Sequence, residues 1–491
     1  MKGKHIITYL ATFLVGAASV GSLTTASAAD AKPNIIHIVA DDVGYADVGF
    51  NGCKDIKTPT IDALARGGAA FKQFYVQPMC TPTRAALMTG RYPYRYGLQT
   101  AVIPSVSDYG LDTTEFLMPQ CLKDAGYKTA IIGKWHLGHA DKKYWPKQRG
   151  FDYQYGAMIG ELDYFTHQEH GVTDWFRNNQ VVKEEGYTTN LLGDDAVRYI
   201  NEQSATKPFY LYLTFNAPHT PYQAPQEYID RYKNIEEPTR RIYAGMMSCL
   251  DDNIAKVIAA LEKKGLRENT LILFHSDNGG THNPMFAGVM ADVSKIKIPC
   301  DNSPFRDGKG SLFEGGTRVC ALANWPGKIK PQSVDGVIHA VDIYPTLAKL
   351  AGASTEKSKP LDGVDVWPTI SEGKASPRQE MVYNIEPFRG AIRVGDWKLI
   401  WRTMLPSSVD LYNLAEDPYE KNNVAAAHPE KVTELKHRLD ELAKGAAKPL
   451  FLLAQFKVIM KNINGEPLMP GDDGFGDDEG DIAPPKIGTA P

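Results

Sequence analysis

Four short apolar runs, each closed by polar or charged residues, constrain this chain more than any other feature. Ile35-Ile36-His37-Ile38-Val39, Lys128-Thr129-Ala130-Ile131-Ile132, Phe209 to Phe215 and Thr270-Leu271-Ile272-Leu273-Phe274 read as buried strands. Between them lie amphipathic segments such as Thr239 to Lys264, with apolar residues at helical spacing and Gly265 as a stop. Alternation of this kind predicts an α/β fold: a mostly parallel sheet sandwiched by helices on both faces. In such sheets ligands bind at the carboxyl ends of the strands, so the residues that follow each run are the place to look.

Beyond a composition change near Ser371 to Gln379, hairpin-type strands take over. Met381-Val382-Tyr383, Ala391 to Trp401 with the turn Gly395-Asp396, and Val409 to Tyr412 are followed by a helix from about Pro429 to Lys444. The expected organisation is a signal peptide over 1–28, a catalytic domain over 29–375, a smaller antiparallel-sheet-plus-helix domain over 376–446 and a C-terminal extension over 447–491. The leader reading rests on Lys2 and Lys4, the apolar run Ile6 to Val20 and the A-x-A site Ala26-Ser27-Ala28. The run is shorter than the ~20 apolar residues of a membrane span. The protein is therefore expected to be exported, periplasmic or secreted, without a membrane span. From Pro470 on, Gly, Pro and Asp dominate, and a disordered acidic tail is expected.

Lys plus Arg number 54 and Asp plus Glu 58, a net charge of −4 that offers no field for nucleic acid. Six acids between Gly471 and Asp481 account for that sign, so an anionic substrate would have to be held by local cations. The cysteines at 53, 80, 121, 249, 300 and 320 lack C-x-x-C spacing, which speaks against zinc; export would permit disulfides of unreadable pairing.

Asp41 and Asp42 follow the first run, Lys134, Trp135 and His136 the second, Ala217-Pro218-His219 the third, and Asp277 and Asn278 the fourth. Three carboxylates and an amide oxygen suit a hard divalent cation, Ca²⁺ or Mg²⁺. A single Asp after a strand is an ordinary helix cap or turn residue, but two oxygen-bearing pairs at two strand ends favour a metal. In Cys80-Thr81-Pro82-Thr83-Arg84, Thr81 is a good N-cap and Pro82 a good first helical residue. Cys80 is then expected just before a helix N-terminus, where thiols acidify and anions are welcome.

That segment resembles the C-x-P-x-R core of type I sulfatases, and Gly126 to His136 resembles their second signature. Further likenesses lie at Ala40 to Gly44, Ala217 to His219, Ser276 to Gly279, Gly308 to Gly316, His339 to Gly352 and Asp410 to Leu414, so the resemblance covers about residues 33–445. Within the family the chain resembles most the arylsulfatase B branch, which acts on 4-sulfated N-acetylgalactosamine. The resemblance implies an alkaline-phosphatase-like fold and a sulfuric ester hydrolase. It also implies conversion of Cys80 by a formylglycine-generating enzyme to Cα-formylglycine, whose hydrate attacks sulfur to give a sulfo-enzyme intermediate. Asp41, Asp42, Asp277 and Asn278 would hold Ca²⁺ (Mg²⁺ less readily) together with residue 80. Arg84 would orient the hydrate, Lys134 and Lys309 would grip sulfate, His136 would assist breakdown of the intermediate, and His219 would protonate the departing oxygen.

The substrate implied is a sulfated oligo- or polysaccharide, a galactan or glycosaminoglycan. Asp163 to His170 and Asp174 to Arg177 form a polar-aromatic stretch of the kind that either stacks on a sugar ring, with His167, His170, Trp175 and Arg177 as its candidates, or packs as a surface loop. His37 is expected in the core, and His275 and His282 carry no assignment. One departure from the arylsulfatase B pattern is extra length between Gly280 and Ser303, including Asn283-Pro284-Met285-Phe286, beside the metal pair. Two competing readings are a phosphomonoester, phosphodiester or phosphonate hydrolase of the same superfamily, and a glycan-binding protein without catalysis. Cys80 with Pro82 and Arg84 speaks against the first, and the filled ligand positions against the second.

Overall fold

The computed structural model describes residues 32–464 except 106, 170, 283–296 and 405. The expected leader, the tail from Pro470, His170 and Asn283-Pro284-Met285-Phe286 fall outside the described residues. In chain order the strands are β1 (Asn34–Ala40), β2 (Ala69–Tyr75), β3 (Lys128–Gly133), β4 (Tyr153–Gly156), β5 (Gln168–Glu169), β6 (Val172–Thr173), β7 (Phe176–Arg177), β8 (Gln180–Val181) and β9 (Phe209–Thr214). They continue as β10 (Thr270–Ser276), β11 (Arg318–Asn324), β12 (Gln332–Val334), β13 (Ile338–His339), β14 (Glu380–Ile385), β15 (Arg389–Val394), β16 (Trp397–Arg402) and β17 (Ser408–Asn413).

The large sheet runs β12-β2-β11-β10-β1-β9-β3-β4-β7-β8, with β13 on β2. Its centre, β10-β1-β9-β3-β4, is parallel, while β11 and β7 pair antiparallel at the flanks. Successive side chains on a strand point to opposite faces, and here both faces are dry. Ile36 and Ile38 of β1, Leu211 and Leu213 of β9, and Ile272 and Phe274 of β10 enter one core. Ile35 and Val39, Tyr210 and Tyr212, and Leu271 and Leu273 enter the other. The first core is closed by the helices Pro59–Arg66, Thr188–Asn201 and Pro238–Lys263. The second is closed by Cys80–Thr89, Met118–Asp124 and Ala340–Leu350.

The small sheet is an antiparallel meander, β14-β15-β16-β17. One face packs Ile392, Leu399 and Leu411 against Leu435 and Leu439 of the helix Pro429–Ala443. The other lays Tyr383, Ala391, Ile400 and Tyr412 on Tyr75, Leu312 and Phe313 of the large unit. The start of the extension forms a helix, Leu450–Asn464, that the sequence reading did not anticipate. No described helix is long and apolar enough to cross a membrane, and each of the six cysteines is free.

Candidate active site

Adjacent parallel strands β10, β1, β9 and β3 end on one edge, and their last hydrogen bonds aim the residues that follow. Asp41 N donates to Ala217 O, Asp277 N to Ala40 O, and Lys134 N to Thr214 O. Gly133 makes the last approach possible: its φ is +116°, and a Cβ there would lie 1.8 Å from Thr214 O. Asp42 (φ 64°) and His136 (φ 57°) both sit in the left-handed region, which costs a non-glycine residue and turns their side chains back over the strand ends.

Asp41 and Asp277 are fully buried and share Arg84. The guanidinium donates to Asp277 Oδ2 from Nη2 at 2.8 Å and from Nε at 3.2 Å, and lies 3.4 Å from Asp41 Oδ2. Its Nη1 also donates to Lys134 O at 2.9 Å. Lys134 Nζ contacts Asp41 Oδ2 at 2.5 Å, and Lys309 Nζ contacts Asp42 Oδ2 at 2.8 Å. Cys80 Sγ is 3.4 Å from Asp41 Oδ1. Asn278 Nδ2 donates to Asp42 Oδ1 at 2.6 Å, and His219 Nε2 stands 3.6 Å from Asp42 Oδ2 and 3.0 Å from Lys309 Nζ.

Burial would raise the Asp42 carboxyl, but Lys309 and then His219 outweigh it and hold it well below the usual range. Burial, then Lys309, pushes His219 down to about 3 against the pull of Asp42, so the ring is neutral in this arrangement. Burial also lowers His136 strongly, with Lys134 adding to it. His136 Nε2 pairs with Ile103 O at 3.1 Å, while its Nδ1 is buried without a partner.

The helix start differs from expectation. Cys80 is itself the first residue of the helix Cys80–Thr89, and Met79 precedes it in extended conformation. Thr81 is not a cap: its hydroxyl donates to His136 O at 3.0 Å and accepts from Ile103 N at 3.1 Å, tying the helix to the segment after β3. Nor is the thiol acidified. Burial pushes Cys80 up, and Asp277 and Asp41 push it further, so the side chain is no thiolate nucleophile.

The donor set fits a hard cation. Ligand atoms of Asp41, Asp42, Cys80 and His219 lie within 4.8 Å of one another. Beside them Asn278 Oδ1 is buried with no hydrogen-bond partner, an acceptor awaiting a positive group. His219 is already engaged by Lys309, so Asp41, Asp42, Asp277 and Asn278 are the oxygen ligands that chemistry favours.

Three of the four sugar-stacking candidates pack inward. Trp175 is fully buried and donates to Tyr155 OH and Glu184. His167, 2% exposed, stacks on it at 4.7 Å. Arg177 is spent on Asp195 at 2.6 Å and Glu184 at 3.2 Å. These residues hold a wall rather than face a ligand. His37 is core, as expected, paired with His275 at 2.8 Å.

The wall itself contributes Glu161, which lies outside the polar-aromatic stretch, and Glu169, which lies within it but is not among its candidates. An open pocket of about 240 Å³ over Cys80, His136, His219 and Lys309 is also lined by Glu161 and Glu169. Burial pushes Glu161 up to about 7 against Lys309. It pushes Glu169 up to about 8, with Asp174 and Glu161 adding to it.

Such a cleft is specialised. Fixed cations beside a carboxylate cage serve an anion whose charge must be spread during attack, and at the strand ends of an α/β sheet they define a hydrolase of anionic esters. Comparison with known proteins makes the class specific. Residues 33–353 match the Sulfatase family, and residues 307–445 match the N-sulphoglucosamine sulphohydrolase C-terminal family. Arylsulfatase J of Mus musculus is 35% identical over 476 residues, covering 86% of this chain and 77% of that protein. N-acetylgalactosamine-6-sulfatase of Mus musculus is 32% identical, covering 76% of this chain and 72% of that protein. The solved structure of Ps i-CgsB in complex with k-i-k-neocarrahexaose superposes with a TM-score of 0.78 at 34% identity, covering 89% of this chain and 98% of that one. The chain belongs to the sulfatase family and is a sulfuric ester hydrolase.

Proposed function

We propose that this enzyme removes sulfate from a sulfated carbohydrate of galactan or glycosaminoglycan type, using Cys80 after its conversion to Cα-formylglycine. The observation that carries the reading is the cluster of Asp41 and Asp42 with Cys80, to which Asp277 is joined through Arg84 and Asn278 through Asp42, with Lys134 and Lys309 beside them. The likeness to N-acetylgalactosamine-6-sulfatase and to Ps i-CgsB, solved with a neocarrahexaose, supports a sugar as the alcohol. The leader over 1–28 supports export to the periplasm or beyond, where such polymers are met. We read residues 29–375 as the catalytic part and 376–446 as its smaller companion.

Ca²⁺, with Mg²⁺ the lesser fit, would be held by Asp41, Asp42, Asp277, Asn278 and residue 80 and would supply positive charge to the nucleophile and the sulfate oxygens. Arg84, fixed by Asp277 and Lys134 O, orients residue 80. Lys134 and Lys309 grip the sulfate, releasing part of their hold on Asp41 and Asp42 as they do. His219 Nε2, next to Lys309 Nζ, gives a proton to the departing sugar oxygen; a sulfate lodged beside it favours the protonated ring that burial alone disfavours. The unpartnered Nδ1 of His136 takes a proton from residue 80 as sulfate leaves.

The test is the mass of the tryptic peptide Gln73–Arg84 from protein made in its native host. Conversion of Cys80 lowers it by about 18 Da. A wholly unmodified peptide, together with no sulfate release from any sulfated saccharide, refutes the reading.

A further inference from the structure

The wall opposite the cations is chemically lopsided. Glu161 and Glu169 line the same pocket as Cys80, His136, His219 and Lys309. Among the described residues that line it, Lys309 is the one fixed cation, and Asp42 already holds it. Glu169 Oε2 and His136 Nδ1 are both buried there without hydrogen-bond partners, and His136 is only 4% exposed. A buried polar atom left unpaired in a reactant pocket points to a ligand group that completes it.

The wall is held rigidly in place. Asp174 accepts Met158 N at 3.0 Å and Ile159 N at 2.9 Å, shaping the turn that carries Gly160 and Glu161. His136 N donates to Met158 O, tying that turn to the cationic side. Gly160 lies so close to the His136 ring that a Cβ would stand 2.4 Å from Cε1. Glu169 is held on the short hairpin of β5 and β6. The stacked pair His167 and Trp175 backs this segment.

We propose that Glu161 and Glu169 are specificity residues that hydrogen-bond free hydroxyls of the reacting sugar and so select rings carrying a single sulfate. The assignment rests on the sulfatase reading above and adds which rings the site accepts. A carboxyl group accepts from a hydroxyl when ionised and both donates and accepts when protonated, so it suits a sugar hydroxyl in either state. A second sulfate on the same ring, or a carboxylate in a uronic acid, would meet carboxyls where it needs a cation. Sites built to bond a hydroxyl discriminate strongly against an analogue that lacks it.

The test compares kcat/KM on two oligosaccharides that differ only in one or two sulfates on the reacting ring. The wild-type enzyme is expected to favour the monosulfated ring at least about tenfold. E161Q and E169Q replace a carboxyl by an amide that can donate to sulfate, and each is expected to narrow that ratio at least about threefold, the double variant further. Thermal unfolding midpoints identify variants that fold, and the wild-type ratio decides even if none does. A wild-type ratio near one, or a ratio unmoved in folded variants, overturns the assignment while leaving the sulfatase reading intact. No sulfate release from either sugar or from nitrophenyl sulfate overturns the reading on which it rests.

Discussion

Replacing Lys398 by methionine probes the joint between the small sheet and the active site. Lys398, on β16, is fully buried, with Nζ 2.9 Å from Glu314 Oε1 and 2.8 Å from Glu420 Oε1. Glu314 also accepts Tyr75 OH at 2.7 Å and Tyr383 OH at 3.0 Å, and Glu420 Oε2 accepts Glu314 N at 2.6 Å. Glu314 opens the turn Glu314–Thr317, which follows the Lys309 loop, and Gly316 O of that turn accepts Gly279 N next to Asn278. Burial raises both carboxyls; Lys398 and then Arg318 more than offset it at Glu314, whereas Glu420 stays high.

Removing one partner of a buried pair costs about 3–5 kcal/mol, and here one carboxyl can relieve the strain by taking a proton. In the variant the folded state then binds about one proton more than the unfolded state above the ordinary carboxyl range. Its stability therefore falls by up to about 1.4 kcal/mol per pH unit as pH rises. In the wild type Glu420, held at about 7, already takes up such a proton as pH falls below 7, so there both proteins share that slope and the difference between them develops above 7. Isothermal denaturant unfolding should therefore show a gap between variant and wild type of about 3–5 kcal/mol near pH ~9, shrinking by roughly 2–3 kcal/mol as pH is lowered by about two units to neutral. Sulfate release should fall along with it, because the Lys309 loop loses its anchor. A gap that is flat, or that widens in acid, refutes the reasoning.

Three further outcomes follow from the site. Chelation should lower the thermal unfolding midpoint, with Ca²⁺ restoring it more fully than Mg²⁺, and Asp277→Asn should blunt the shift; a chelator-insensitive midpoint would count against the metal. Gly133→Ala should abolish soluble expression or leave a protein without native circular dichroism, because its Cβ would have to displace Thr214 O at 1.8 Å. Trp175→Ala should destabilise by about 3–5 kcal/mol, measured by denaturant midpoint, while kcat/KM changes in step for sugar and aryl sulfates; a loss confined to sugars would return Trp175 to the substrate.

Why the sequence revealed some of this and not the rest has a physical basis. In a parallel sheet the strand ends converge whatever the loops do, so Asp41, Lys134 and Asp277 could be grouped from local runs alone. The helix begins at Cys80 rather than at Pro82, two residues earlier than the local sequence suggests, because Thr81 spends its hydroxyl on His136 O and Ile103 N, contacts made 55 and 22 positions away. The stretches 163–170 and 174–177 stay open between sugar stacking and a packed loop in the sequence, because a polar-aromatic composition is the same whether Trp175 packs inward or faces a sugar. Only the folded turn decides that Glu161 faces the pocket while Arg177 turns to Asp195. The Lys398–Glu314–Glu420 joint carries no local signal at all, since its partners are 84 and 106 residues apart. Groups tied to strand ends are thus legible in isolation, whereas groups on turns have their facing set by long-range packing. That division makes Glu161 and Glu169, placed by a folded turn and a short hairpin, the residues on which the proposed choice of substrate has to be tested.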